Sequence, residues 1–193
     1  MFHNKWKTEI LTIPNLLSLF RMALIPVYVH LYRNAMEPYQ FRVAGLILAV
    51  SCLTDAVDGK IARRFHMVST LGKILDPIAD KATQLALILC LALKYPVLNF
   101  VLGLFAFKEM FQITLGIFHL RRGRMLPGAL PAGKVCTAVL FTSLTLLVFF
   151  PDMTSSAVRA IALTDAVFLV ISLISYYSAY FGPEIKLRNI DTA

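Results

Sequence analysis

Four aspartates occupy a short stretch of this sequence at spacings that could hold metal ions. Asp55 and Asp58 are three residues apart, and Asp76 and Asp80 are four apart. On helices, each spacing places both carboxylates of a pair on one face. Carboxylates that converge repel one another unless cations neutralise them. Oxygen ligands without nearby cysteine favour Mg²⁺ or Mn²⁺, and two pairs suit two ions roughly 3.5 to 4 Å apart, as in phosphate chemistry.

Small and basic residues lie beside these aspartates. Gly59 and Ala62 follow the first pair, and Gly72 lies one turn before Asp76. Small residues on a helix face let a ligand or a neighbouring helix approach the backbone. Arg63 offers a planar fork of donors that suits phosphate oxygens. The stretch therefore predicts a metal-dependent site for phosphate chemistry.

The simplest alternative is that the aspartates pair with nearby basic side chains in a solvated loop. Exposed ion pairs near helix ends are common and weak, and for a single aspartate we would favour that interpretation. Four acids in helical register with two glycines favour the metal site, because acids within spanning helices are costly and mark functional sites. The basic side chains concerned are Lys60, Arg63, Arg64, Lys73 and Lys81.

Six apolar runs predict the helices that position the aspartates. A membrane-spanning helix needs about 20 mostly apolar residues. The runs cover residues 13–31, 41–57, 78–93, 97–120, 134–150 and 158–181. The second and third runs continue at helical spacing into the charged stretch, so we expect these two helices to extend beyond the bilayer. The pattern predicts an all-α integral membrane protein with six transmembrane helices.

The composition supports lipid as the surroundings of the chain. Of the 193 residues, 58% are apolar and 16% are charged, whereas about a quarter are charged in soluble domains. This composition excludes a disordered tail, a collagen, a nucleic-acid-binding arm and a disulfide-stapled module. The three cysteines lie in apolar runs and are predicted to be buried packing residues. Residues 1–193 are predicted to form a single membrane-embedded domain.

The positive charge is concentrated on one predicted side of the membrane. The net charge is +8, and thirteen of the 19 Lys and Arg residues flank helix ends on that side. The positive-inside rule makes this side cytoplasmic, together with both termini. Residues 1–12 are predicted to be an interfacial segment on the cytoplasmic leaflet. A cleaved signal peptide is the alternative for residues 1–31, but Arg21 interrupts the apolar run and no cleavage motif follows.

The stretch from residue 55 to residue 80 resembles the signature of the CDP-alcohol phosphatidyltransferases, which are integral membrane enzymes of phospholipid synthesis. That signature reads D-x-x-D-G-x-x-A-R, eight residues, then G-x-x-x-D-x-x-x-D. The matching residues are Asp55, Asp58, Gly59, Ala62, Arg63, Gly72, Asp76 and Asp80. The family also has six spans with the motif on the second and third. The resemblance thus implies a polar active-site cavity that faces the cytoplasm.

The resemblance also implies roles for these residues. Asp55, Asp58 and Asp76 would hold two divalent cations, Mg²⁺ or Mn²⁺, against the pyrophosphate of CDP-diacylglycerol. Asp80 would complete the metal site and take the proton from the acceptor hydroxyl, and CMP would leave. The residues implied in binding the CDP-lipid are Asn15, Gly59, Ala62, Arg63 and Gly72. A homodimer in a bacterial inner membrane is also implied, with no nucleic acid as partner.

Two further segments resemble the branch of the family that makes phosphatidylglycerophosphate from glycerol 3-phosphate. Residues 13–21 are similar to its opening I-P-N-x-L-T-x-x-R, with Ser18 in place of threonine, and residues 133–137 are similar to its G-K-x-x-T. An intramembrane arginine such as Arg21 usually faces a polar cavity. The candidate residues for acceptor binding are Arg21, Lys108, Arg121, Arg122 and Lys134.

The fourth run departs from that branch, so a second acceptor stays open. Lys108-Glu109 stands where Arg-Glu is usual, and Leu115-Gly116 stands where Leu-Arg is expected. Residues 121–134 also resemble the cardiolipin synthases of the same family, whose acceptor is phosphatidylglycerol. A small transporter or channel is disfavoured because the aspartate pattern occurs once, without the internal repeat that many transporters show. An assembly or scaffold protein would give no reason for the acidic cluster.

Overall fold

The computed structural model describes residues 13–64, 72–122, 124–125, 130–181 and 188–189. These residues form six helices, as predicted, and one short antiparallel strand pair that the sequence did not suggest. The helices are α1 (Ile13–Arg33), α2 (Pro38–Arg64), α3 (Gly72–Lys94), α4 (Leu98–Leu120), α5 (Pro131–Phe149) and α6 (Ser155–Phe181). The strands are β1 (Arg124–Met125) and β2 (Arg188–Asn189), with Arg124 opposite Asn189. The predicted interfacial segment, residues 1–12, lies outside the described residues.

Proline sets several of the helix boundaries. Pro38 and Pro131 are the first residues of α2 and α5, where the missing N–H of proline costs no hydrogen bond. Pro96 and Pro151 lie in the breaks that follow α3 and α5. The helices α2 and α3 run well beyond the apolar runs at residues 41–57 and 78–93, as expected, and the aspartates therefore lie on regular helix.

Four of the described helices are long and apolar enough to cross a membrane. The candidate spans are Asn15–Arg33, Leu98–Leu120, Pro131–Phe149 and Ser155–Phe181. The helices α2 and α3 contain the aspartates together with several Lys and Arg residues, which lower their hydropathy. The structure thus supports a membrane protein with four candidate spans, and the crossing of the membrane by α2 and α3 stays a prediction.

The chain groups into two compact units, and the prediction of a single domain stays a prediction. The first unit comprises Met1–Leu91 and Thr145–Asp152. Within it, α1 packs along α2, and the buried core includes Tyr28, Leu48 and Leu87.

The second unit comprises Ala92–Leu144 and Met153–Ala193. Within it, α4 packs against α6, and β1 pairs with β2. Its buried core includes Leu98, Leu140 and Leu169.

Apolar side chains face outward from the described helices, while several polar ones are buried. Phe100, Leu163 and Ile174 are exposed, whereas Lys108 and Asp165 are buried. This distribution suits lipid surroundings, in which polar groups must find partners inside the protein.

One prediction about the cysteines is wrong. Cys90 and Cys136 are buried, as expected of packing residues, but Cys52 is exposed. All three are free thiols. An apolar run in a membrane protein does not distinguish the lipid-facing side of a helix from its packed side, because lipid accepts the same residue types as the core.

Candidate functional site

The helix α3 presents two carboxylates at successive turns. Asp76 is half-buried, and the Asp80 side chain keeps 48% of its surface exposed. The spacing of four residues places both on one helix face, as the sequence predicted. Of the four predicted metal ligands, Asp76 and Asp80 are the two whose side chains the structure describes.

A buried polar face of α1 meets these carboxylates. Asn15, Ser18 and Arg21 expose only 1%, 0% and 2% of their surface. The Ser18 hydroxyl donates a hydrogen bond to Asp76 Oδ1, and Arg21 Nη1 forms an ion pair with Asp80 Oδ1. Both aspartates of the α3 pair are thus in contact with polar side chains of α1.

The remaining signature residues are placed by backbone alone. Asp55, Asp58, Gly59, Ala62 and Arg63 lie in α2, and Gly72 is the first residue of α3. Their side chains lie outside the described part of the structure, so their predicted roles stay predictions. The spacing of three between Asp55 and Asp58 is on regular helix, which keeps both on one face.

The described donors fit a divalent cation, although they do not form a complete site. Asp76 and Asp80 supply oxygen ligands only, which is the donor chemistry that Mg²⁺ and Mn²⁺ prefer. Among the residues that the structure describes, no group of three or more His, Cys, Asp or Glu side chains is close enough to hold a metal. Further ligands would therefore come from Asp55 and Asp58, at the end of α2.

Three of the five candidate residues for acceptor binding are exposed cations. Arg121 and Arg122 follow the end of α4, and Lys134 lies in the first turn of α5. The Arg122 guanidinium lies 4.1 Å from the centre of the Phe118 ring, which restricts its position. These side chains are accessible to an anionic ligand.

The other two candidates are buried and paired. Arg21 contacts Asp80, as described above. Lys108 exposes 5% of its surface, and its Nζ lies 2.7 Å from Glu109 Oε1. Lys108 and Glu109 therefore form a buried ion pair, in which each charge has the partner that burial requires.

The structure also reveals two polar groups that the sequence analysis did not assign. Ser18 stands where the family opening has threonine, and its hydroxyl contacts Asp76. Asp165 lies in the middle of α6, is fully buried, and accepts a hydrogen bond of 2.7 Å from the Ser143 hydroxyl of α5. The sequence offered one indication of both contacts, because a polar residue inside an apolar run usually faces other protein groups.

Comparison with known proteins assigns the chain to a family. The family model described as CDP-alcohol phosphatidyltransferase matches residues 11–174, which is most of the chain. The protein therefore belongs to the CDP-alcohol phosphatidyltransferase family, as the signature indicated.

Individual relatives fall into two groups by the names they carry. The chain is 35% identical over 142 residues to a cardiolipin synthase (CMP-forming) of Streptomyces coelicolor, covering 72% of this chain and 66% of that protein. It is 41% identical over 70 residues to a CDP-diacylglycerol–glycerol-3-phosphate 3-phosphatidyltransferase of Rickettsia bellii, covering 36% of this chain and 38% of that protein. It is 29% identical over 144 residues to a probable phosphatidylglycerophosphate synthase of Mycobacterium tuberculosis, covering 74% of this chain and 68% of that protein. The chain thus spans less than two thirds of the length of the first two of these relatives.

Proposed function

We propose that this protein transfers a phosphatidyl group from CDP-diacylglycerol to glycerol 3-phosphate, releasing CMP and forming phosphatidylglycerophosphate. The observation that supports this most directly is the α1–α3 contact, in which Ser18 and Arg21 hold Asp76 and Asp80. These aspartates are the second half of the family signature, and the family match covers them. The two ordered carboxylates lie close to apolar helix surface that suits lipid. This arrangement suits a reaction between the pyrophosphate of a lipid and a hydroxyl group.

Asp80 is proposed to act as the general base. Its side chain is the more exposed of the two on α3, so an acceptor hydroxyl can reach it. The acceptor oxygen forms a bond to the phosphorus on the lipid side of the pyrophosphate, and its proton passes to Asp80. The bond from that phosphorus to the CMP oxygen breaks, and CMP leaves.

Two divalent cations, Mg²⁺ or Mn²⁺, are proposed as cofactors, held by Asp55, Asp58, Asp76 and Asp80. When bound, such ions neutralise the charge of the pyrophosphate and of the leaving group. Ser18 orients Asp76 by its hydrogen bond, so that the carboxylate keeps one direction. The proposed contacts to the CDP-lipid come from Arg63 and the small residues of the signature, with Asn15 at the start of α1.

Arg121, Arg122 and Lys134 are proposed to bind the acceptor phosphate. All three are exposed, and a phosphate monoester carries close to two negative charges at neutral pH. The resemblance of residues 133–137 to the branch that uses glycerol 3-phosphate supports this choice.

Phosphatidylglycerol is the second candidate acceptor, which would make the protein a cardiolipin synthase. Over alignments of similar length, the identity is 35% to the Streptomyces cardiolipin synthase and 29% to the Mycobacterium phosphatidylglycerophosphate synthase. Gly116 stands where the branch that makes phosphatidylglycerophosphate has arginine, and this difference also favours an acceptor other than glycerol 3-phosphate.

The proposed setting is the inner membrane of a bacterium. All six helices would cross the bilayer, with both termini and the polar cavity on the cytoplasmic side, and the protein would act as a homodimer. The four candidate spans support a location in a membrane.

The test is transfer by purified protein in detergent micelles that contain CDP-diacylglycerol. Glycerol 3-phosphate and phosphatidylglycerol are supplied in separate reactions, and CMP and the lipid product are measured. We expect CMP release with Mn²⁺ and glycerol 3-phosphate, and loss of release when excess chelator removes the metal. Product from phosphatidylglycerol alone would assign the second acceptor, and no product from either would reject the proposed function.

Substitution of the base gives a sharper test of the mechanism. We expect Asp80→Asn to lose CMP release while the protein still inserts into the membrane, because the amide cannot accept the proton. Asp152→Asn, at an exposed turn between α5 and α6, is the matched control and should retain activity. Activity retained by the Asp80 variant would exclude the proposed base.

A further inference from the structure

Arg21 combines deep burial with a contact to an accessible acid. Its side chain exposes 3% of its surface, whereas that of Asp80 exposes 48%. A residue that recruits a soluble or lipid acceptor must be reachable by it, and Arg21 is enclosed. This difference in exposure instead suits a buried Arg21 that holds the accessible, functional Asp80 in place.

The polar residues of α1 lie on the side of the helix that faces the inside of the protein. Asn15, Ser18 and Arg21 repeat every three residues and are all buried, while Leu16, Leu19 and Phe20 between them are exposed. In lipid surroundings this is the expected direction for a polar helix face that contacts other protein groups. The face of α1 is therefore directed at the inside of its own unit, where α3 lies.

The two contacts between α1 and α3 are in register. Three residues separate Ser18 from Arg21, and four separate Asp76 from Asp80, so each pair lies about one helical turn apart. Ser18 therefore reaches the first acid while Arg21 reaches the second. A shift of α1 by one turn along α3 would break both contacts. The two contacts together therefore fix the position of α1 along α3 as well as the side-chain rotamers.

We propose that Arg21 is a positioning residue that holds the Asp80 carboxylate in the direction needed for proton transfer, and that it does not bind the acceptor. This inference rests on the proposed function, in which Asp80 is the base. The planar guanidinium fixes both the place and the orientation of a carboxylate oxygen, which an ammonium group does less well.

Kinetics of Arg21 variants distinguish positioning from acceptor binding. We expect Arg21→Gln to lower kcat by about 100-fold, with the KM for the acceptor and for CDP-diacylglycerol changed less than about threefold, because small displacements of a reacting group cost rates of this order. Arg21→Lys keeps the charge and should recover about tenfold of that loss. Arg33→Gln removes an exposed arginine from the same helix and is the matched control.

Two kinetic results would overturn the proposal. A raised KM for the acceptor with an unchanged kcat would return Arg21 to acceptor binding. Unchanged kinetics in Arg21→Gln would show that Asp80 needs no partner on α1.

A thermal double-mutant cycle tests the contact without any activity. We expect Arg21→Gln and Asp80→Asn each to lower the unfolding midpoint, and the double variant to be no less stable than the worse single variant. Additive shifts would show that the two side chains are not coupled and would reject the proposal. If the unmodified protein transfers to neither acceptor, the proposed function fails, and the additivity of these shifts alone decides whether Arg21 holds Asp80.

Discussion

At the scale of single residues, two buried cations in the described part of the protein each contact an acid. Arg21 contacts Asp80 in the first unit, and Lys108 contacts Glu109 in the second. Both cations are almost fully enclosed, and an enclosed charge without a partner is costly. The cost of a substitution therefore depends on the partner it leaves behind.

Removal of the Ser18 hydroxyl tests its role beside Asp76. We expect Ser18→Ala to lower kcat about fivefold, which corresponds to the loss of about 1 kcal/mol for one hydrogen bond. The helix and its fully buried position should tolerate the smaller side chain. Ser18→Thr keeps the hydroxyl and should retain most of the activity, and the comparison of the two initial rates is the measurement. Equal rates for both variants would show that the Ser18 hydroxyl does not orient Asp76.

Separation of the Lys108–Glu109 pair should affect stability. Lys108→Met removes the ammonium group from a distance of 2.7 Å and leaves the Glu109 charge enclosed, so we expect a loss of about 3 to 5 kcal/mol. The measurement is the midpoint of thermal unfolding in detergent. The double variant Lys108→Met with Glu109→Gln leaves no charge behind and should recover part of the loss. A single variant as stable as the parent would contradict this account of the pair.

At the scale of helices, the close approach of Tyr176 of α6 to α5 depends on the absence of a side chain at one position of α5. A Cβ atom at Gly133 would lie 2.8 Å from the Tyr176 hydroxyl oxygen and 3.0 Å from its ring. The Thr137 hydroxyl also donates a hydrogen bond of 3.0 Å to the Gly133 carbonyl. The glycine of the G-K-x-x-T segment thus has a packing reason, while its neighbour Lys134 faces outward.

Substitution at this contact should reduce stability. We expect Gly133→Ala to lower the stability by about 1 to 3 kcal/mol, because the added methyl group forces Tyr176 or the helix to move. Gly103→Ala in α4 is the matched control, since a Cβ there would meet no atom within 4 Å, and the variant should be unchanged or slightly more stable. Thermal unfolding midpoints of the two variants provide the comparison, and equal losses would contradict the packing explanation.

At the scale of the whole molecule, the distribution of charge predicts how the chain lies in the membrane. Exposed Arg121 and Arg122 follow the end of α4, and the positive-inside rule assigns that end to the cytoplasm. The break between α1 and α2, which contains exposed Asn34, is then assigned to the opposite side. The two assignments agree if each helix crosses the bilayer in the direction opposite to the one before it, since three crossings separate the end of α1 from the end of α4.

Labelling of single cysteines tests this orientation. In a background with Cys52, Cys90 and Cys136 replaced by alanine, we expect Asn34→Cys to react with a membrane-impermeant maleimide on intact bacterial spheroplasts. Arg122→Cys should react only after permeabilisation, which also serves as its positive control. The reverse pattern would place the acidic site outside the cell, away from the nucleotide-linked substrate of the proposed function.

Much of the architecture was predictable because helices form from local pattern. Apolar runs broken by Pro96 and Pro151 predicted six helices, and the signature aspartates predicted which of them carry the chemistry. The spacing of Asp76 and Asp80 fixes a shared helix face in any packing. The family follows from the same residues, and it is confirmed by the match over residues 11–174.

Contacts between helices required the tertiary structure. Ser18 and Asp76 are 58 residues apart, and the sequence states neither how α1 is rotated nor how far it is shifted along α3. The same limit explains the error over Cys52 and the missed contact of Asp165, because lipid and protein interior select similar side chains along a helix. The sequence by itself thus determined the helices and the family, and it predicted the acids of the site. Only the tertiary structure decided that Arg21 holds Asp80, since the rotation and shift of packed helices depend on the side chains of both at once.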